Sequence, residues 1–238
     1  MTAHLAKDRN IIFQRARGSL KISTLCSSNS SSRLKDLYQQ GSYRAIFPRP
    51  IKGNIEAVII NTAGGVAGGD HFSTTVTAND YSRISVTTQA AERIYGAADE
   101  TAGSMHARLK AKQNAQLYWL PQETILYEGS RLNRTLEVEV AKNSKFLMVE
   151  PLVFGREASG ENLHSCSLDD SVSIVSCGKP IYVDRVKLNG DVASTLKRSA
   201  VANGARAMAS IVLVDPKAKT MIEGVRALLP ASAGSSLL

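Results

Sequence analysis

The feature that most constrains the fold is an eleven-residue pattern that occurs three times without gaps: VTANDYSRISV (76–86), LKAKQNAQLYW (109–119) and VEVAKNSKFLM (138–148). Each copy places apolar residues at its positions 1, 3, 9 and 11 around a polar turn. Apolar residues two apart mark a strand with one buried face, so each copy reads as strand, turn, strand. No such unit can bury its apolar face alone, whereas a stack of them can. A looser fourth copy, Val172 and Ile174 followed by Ile181 and Val183, has one extra residue in its turn. Two arrangements satisfy the pattern: a stack of β units, or similar hairpins set in a sandwich.

The same alternation dominates from Ala57 to about Val186, as in Phe72–Ala78, Arg83–Thr87 and Leu136–Val140. The expected fold class is therefore mostly β, with stacked sheets forming a β-solenoid-like body. Helix is expected only late. Ala193–Ala202 has good helix formers, Asp191 as a cap and Gly204 as a stop, and Met221–Leu229 reads as a second short helix ended by Pro230.

Charge is distributed unevenly. The formal net charge is +8, yet residues 1–52 hold ten Lys or Arg against Asp8 and Asp36, while the remainder carries 19 basic and 19 acidic residues. Only 5% of residues are aromatic, with no cluster near the arginines, which argues against nucleic-acid binding. A basic front of this kind suits an acidic partner protein, because such charge mainly raises the association rate. Ser27–Ser32 (SSNSSS) reads as a loop, and organised sequence is expected to begin after it. That divides the chain into a basic, Ser-rich N-terminal arm (1–32) and a single β domain (33–238). The aliphatic runs Val58–Ile60 and Ile211–Val214 fall far short of the roughly 20 residues of a membrane span. The opening MTAHLAKDRN lacks the apolar segment of a signal peptide. A cytoplasmic chain with no membrane partner is expected. Three cysteines without a C-x-x-C pair support neither a disulfide framework nor a zinc ribbon.

The stretch NTAGGVAGGD (61–70) invites comparison with a phosphate loop. Gly64 and Gly69 have the spacing, but Asp70 and His71 follow where Lys and Ser or Thr are needed, and no helical pattern comes next. The paired glycines instead fit a tight backbone approach between the strands at Ala57–Ile60 and Phe72–Ala78. Asp70 then caps the turn or lines a polar cavity. No hydrolase, zinc-protease or kinase signature occurs, so no enzyme is expected. His164 and Cys166 share a side if extended, but a lone pair at that spacing is an incidental feature rather than a metal motif.

Six blocks carry a resemblance to a known family. They are RLKDLYQQGSYRAIFPRP (33–50), AVIINTAGGVAGGD (57–70), VTTQAAERIY (86–95), LYWLPQETILYEGSRL (117–132), FLMVEPLVFGREASGE (146–161) and YVDRVKL (182–188). In this order they resemble the urease accessory protein UreD (UreH) family. The resemblance implies a non-catalytic scaffold that binds apo-urease and recruits a UreF-like protein and the UreG-like GTPase for nickel insertion. It implies no tightly bound cofactor, only nickel in transit through an internal route. It also implies that relatives run a few dozen residues past AGSSLL, and the basic front before Ser32 matches none of the blocks. An internal route needs polar and acidic side chains that touch the ion weakly, since tight ligation traps it. Acids borne on strands in apolar surroundings fit, because a charge there must be hydrated or paired. Asp70, Glu150 and Asp184 are the candidates, with Thr87 and Thr88 as neutral oxygen donors. The competing reading has Asp70 capping its turn, Asp184 pairing with Arg185 or another arginine, and Glu150 accepting from backbone amides. At the level of function, the alternative is a stand-alone β-rich ligand- or carbohydrate-binding module.

Overall fold

Each copy of the repeat gives one strand to each of two sheets in the computed structural model, which describes residues 14–27, 30–49 and 53–237. The chain enters along β1 (Arg17–Cys26), returns on β2 (Ser32–Gly41) and crosses over through β3 (Tyr43–Ile46) and β4 (Ile55–Asn61). Three coils follow: β5 (His71–Ala78), β6 (Arg83–Thr88) and β7 (Glu92–Ile94); β8 (Gly103–Ala111), β9 (Gln116–Trp119) and β10 (Thr124–Leu126); β11 (Arg131–Val140) and β12 (Lys145–Phe154). The hairpin β13 (Cys166–Ser176) and β14 (Lys179–Gly190) comes next, then helix α1 (Val192–Lys197), strand β15 (Ala207–Val214) and helix α2 (Ala218–Arg226).

One sheet has the order β14-β13-β11-β8-β5-β1-β2; the other runs β3-β4-β6-β9-β12-β10-β7, with β15 antiparallel on β12. Strands β1, β5, β8, β11 and β13 are mutually parallel, and so are β4, β6, β9 and β12. Parallel pairing of successive units requires the chain to cross to the other sheet and return, so the repeats form stacked coils rather than hairpins of a sandwich. All twelve apolar repeat positions, from Val76 to Met148, are buried.

The turns explain why the repeat has a fixed length. Its sixth residue sits in the left-handed region in every copy: Tyr81 at φ 62°, Asn114 at 56° and Asn143 at 61°. The seventh residue's N–H then donates to the fourth residue's carbonyl, at 2.9 Å from Ser82 to Asn79, 3.0 Å from Ala115 to Lys112 and 3.2 Å from Ser144 to Ala141. Adjacent coils are tied by Lys112 N–H to the Ala78 carbonyl (2.9 Å) and Ala141 N–H to the Ala111 carbonyl (2.8 Å).

Four expectations are corrected. The fourth copy is not a coil: its extra residue makes a two-residue turn, Cys177 (φ 50°) and Gly178 (φ 76°), that folds β14 back antiparallel on β13 in the same sheet. Val183 is consequently exposed. Organised structure begins before Ser32, since β1 lies between β5 and β2 with Leu20 and Ile22 buried. The alternating inward residues Gly18, Leu20 and Ile22 are the cue, which the serine tract beyond them obscures. Helix α1 starts on Asp191 as expected, whose side chain accepts Ser194 N–H (3.0 Å), but it ends at Lys197 because Arg198 is extended. Helix α2 lies three residues earlier than Met221–Leu229, and the run before it pairs as β15. No helix among the described residues is long and apolar enough to cross a membrane.

Tyr81 is an exposed aromatic held at positive φ where the other two turns use asparagine. Tyr81→Asn is expected to stabilise the fold by up to about 1 kcal/mol, because asparagine tolerates this conformation best among residues with a Cβ. Chemical denaturation reads the difference, and a destabilised variant contradicts the turn analysis.

Candidate functional site

Register turns each inward position of the coils into a row. Near the repeat turns the row Val76, Leu109, Val138 and Ile174 is wholly apolar. Farther back along the strands the rows change character: Thr74, Ala107, Leu136, Val172 and Asp184, then Phe72, Met105, Arg134, Asp170 and Val186. Thr74 and Ala107 are too small to fill the gap between the sheets, and a cavity of about 210 Å³ remains there. Facing these residues from the other sheet are Ile59, Trp119, Glu150 and Glu92, with Tyr43 at one end.

Arg134 organises the polar interior. Its Nε and one terminal nitrogen donate to the two carboxylate oxygens of Asp170 at 2.9 and 2.6 Å, and the other terminal nitrogen donates to Glu150 Oε2 (2.7 Å) and Thr124 Oγ1 (3.0 Å). Glu150 Oε1 accepts from the Trp119 indole N–H. All three charged groups are at least 88% removed from solvent, so each must be paired to be tolerated. Burial works to lower the Arg134 pKa, and the charges of Glu150 and Asp170 outweigh it and hold the guanidinium above its ordinary value.

A second acid sits at the other end of the cavity. Glu92 is buried, accepts from Asn61 Nδ2 (3.0 Å), and is pushed up from 4.5 to about 7, chiefly by burial, with the Asn61 hydrogen bond and the Arg93 charge opposing. Burial and the Glu92 charge in turn push the Tyr43 phenol up.

The residues singled out in the sequence are only partly brought together. Glu150 and Thr88 line the large cavity. Asp184 lines a smaller one, about 20 Å³, with Asp170, Leu152, Met208 and Ser210. Its carboxylate accepts from Tyr182 Oη (3.2 Å) and the Arg185 N–H (2.8 Å), while the Arg185 guanidinium pairs with Asp169 at 2.7 Å. Thr87 lines neither cavity, and its hydroxyl donates to the Thr88 carbonyl at 3.5 Å. Asp70 lines neither as well: its two oxygens accept from Ala16 N–H (2.7 Å) and Ala67 N–H (2.8 Å), clamping the glycine loop to the residue that precedes β1. Glu150 accepts from side chains, not from backbone amides. His164 and Cys166 part company, the first exposed beside Asp191 and the second buried against Ser130. Among the described residues no three His, Cys, Asp or Glu side chains gather as a metal-holding group.

The glycine loop serves packing beside the cavity. It runs along β7, where Val66 N–H donates to the Arg93 carbonyl (2.8 Å) and Tyr95 N–H to the Val66 carbonyl (2.8 Å). A Cβ on Gly65 would meet the Arg93 carbonyl oxygen at 2.6 Å, and one on Gly68 the Thr101 carbonyl oxygen at 2.5 Å, so no side chain fits at either. Asn61 completes the turn by donating to both the Gly65 carbonyl and Glu92.

Arg134, Asp170 and Glu92 were missed in the sequence, although a signal existed. Arg134 shares inward parity with Leu132 and Leu136, Asp170 with Leu168 and Val172, and Glu92 with Ile94. A charge at an inward position of an alternating strand marks a buried pair or a polar cavity.

A family model described as UreD urease accessory protein matches residues 15–238. The chain is similar to the urease accessory protein UreD of Roseobacter denitrificans, 44% identical over 224 residues, which is 94% of this chain and 81% of that relative. It is similar to UreD of Ruegeria pomeroyi, 44% identical over 207 residues, 87% of this chain and 80% of the relative. Against the urease accessory protein UreD 1 of Brucella melitensis the identity is 38%, covering 94% and 79%. The match begins at Arg15, so β1 lies inside the family pattern.

Because the Glu92 pKa is raised in the fold, the folded chain holds a proton between about 4.5 and 7 that the unfolded chain has lost, and stability falls as pH rises through that window. Glu92→Gln stays neutral and still accepts from Asn61. Its stability relative to the parent is expected to grow across that window by on the order of 3 kcal/mol and then level off, read by denaturant unfolding at several pH values. A difference independent of pH contradicts the placement of Glu92.

Proposed function

The chain belongs to the UreD family of urease accessory proteins, which act in urease maturation, and on that premise we propose that it is a non-catalytic scaffold through which nickel passes. In this reading it binds apo-urease, recruits a UreF-like protein and through it a UreG-like GTPase, works in the cytoplasm, and keeps no cofactor of its own. Nickel is cargo. The observation that carries the transit reading is the polar interior between the sheets, where Glu150, Thr88 and Asp184 line two cavities in an otherwise apolar stack. One or two oxygen donors at each point give weak contacts, as a passage requires and a storage site does not. Asp70 has a supporting part, holding the loop beside the larger cavity. Family membership weighs against the stand-alone binding-module reading.

Glu150→Gln preserves size and an acceptor for Trp119 while removing the charge. Co-purification with the UreF-like protein and urease is expected to persist, and nickel per urease active site in co-expressing cells to fall several-fold. Full nickel loading with this variant contradicts the transit reading.

A further inference from the structure

The two cavities lie in series between the sheets, the larger flanked by β5, β8 and β11 and the smaller by β13 and β14. The lining of the larger includes exposed Gln89 and Arg93, and that of the smaller includes exposed Met208. Just two residues line both, Arg134 and Glu150. We propose that Arg134 is a plug: its guanidinium closes the partition by occupying Glu150, and a divalent cation passes by displacing it from that carboxylate.

The hydrogen bonds divide the guanidinium into two working edges. Nε and one terminal nitrogen form a bidentate clamp on Asp170, while the other terminal nitrogen alone reaches Glu150 and Thr124. The clamp is the stronger side, because paired parallel hydrogen bonds fix a guanidinium in orientation as well as position. Arg134 can therefore release Glu150 and stay anchored on Asp170. With the plug in place both Glu150 oxygens are taken, one by Trp119 and one by Arg134, and an approaching cation meets a like charge. Exchange supplies the carboxylate with a new counter-charge, so no buried anion is left bare. An ion of low charge density competes poorly with a hydrogen-bonded guanidinium, which makes the partition selective for divalent cations. Beyond the partition the smaller cavity holds Asp170, which Arg134 clamps, and Asp184, which Arg134 does not touch. The proposal rests on the transit reading above and adds to it the residue that regulates passage.

Trp119 is the only tryptophan of the chain and touches Glu150, so its fluorescence reports nickel at the partition. The full chain is titrated with Ni²⁺, with K⁺ at matched ionic strength as the control. Arg134→Gln combined with Asp170→Asn removes the plug and its anchor together and leaves the cluster's net charge unchanged. Ni²⁺ quenching is expected to strengthen roughly tenfold over the parent, equivalent to about 1.4 kcal/mol, and adding Glu150→Gln should return it to the parental level. Arg134→Lys retains charge without the two-edged reach and should fall between. Equal quenching in the parent and both plug variants overturns the proposal. Nickel loading of co-expressed urease by the Glu150→Gln chain judges the transit reading separately: full loading there sinks that reading even where the quenching series shows a plug, and reduced loading with a flat quenching series sinks the plug alone.

Discussion

Parallel backbone pairing between successive coils is the interaction on which everything else depends. Because the pairing is in register, each inward position of one coil sits beside its counterpart in the next, and the interior is built from rows. Rows of Val, Leu and Ile close the interior at the end with the repeat turns. At the other end the same register sets Arg134 directly beside Asp170, with Glu150 and Trp119 opposite. The buried ionic cluster is thus a consequence of stacking, and breaking the stack would leave each charge without its partner.

That dependence accounts for the shape of the glycine-rich segment. The chain must pass from β4 back to β5 across the end of the polar cavity, against β7, with no room for side chains at Gly65 or Gly68. Asp70 and Asn61 replace side-chain packing with hydrogen bonds, Asp70 accepting from the Ala16 and Ala67 backbone N–H groups and Asn61 donating to the Gly65 carbonyl and the Glu92 carboxylate. A similar substitution holds the segment after β12, where Arg156 pairs with Glu161 (3.0 Å) and lies over the Tyr127 ring. The motifs that look most like a binding signature are therefore the joints that shape the cavity.

Much of this was legible in the sequence. The twelve apolar repeat positions predict their own burial, and the turn length predicts the unit. That such units need neighbours leaves both a stack and a sandwich open, and the parallel pairing of successive strands decides for the stack. What escaped was long-range and depended on parity: Arg134 in RLNRTLEVEV looks like one charge among several until its neighbours Leu132 and Leu136 are known to face inward. Asp70 reads equally well as a cap or a cavity acid, since the distinction lies in whether Ala16, 54 residues earlier, is near it. The strand β1 was hidden because a serine tract follows it, and the hairpin at β13 and β14 because one added residue changes a coil into a reversal.

The central claim is that a polar channel between two stacked sheets, partitioned at Arg134 and Glu150, admits nickel. Diffraction at the nickel absorption edge from crystals of the Arg134→Gln, Asp170→Asn chain soaked in Ni²⁺ tests it most directly. An anomalous peak between the sheets within reach of Glu150 or Asp184 is the predicted result. Nickel confined to the outer surface, with the interior unoccupied, would contradict it.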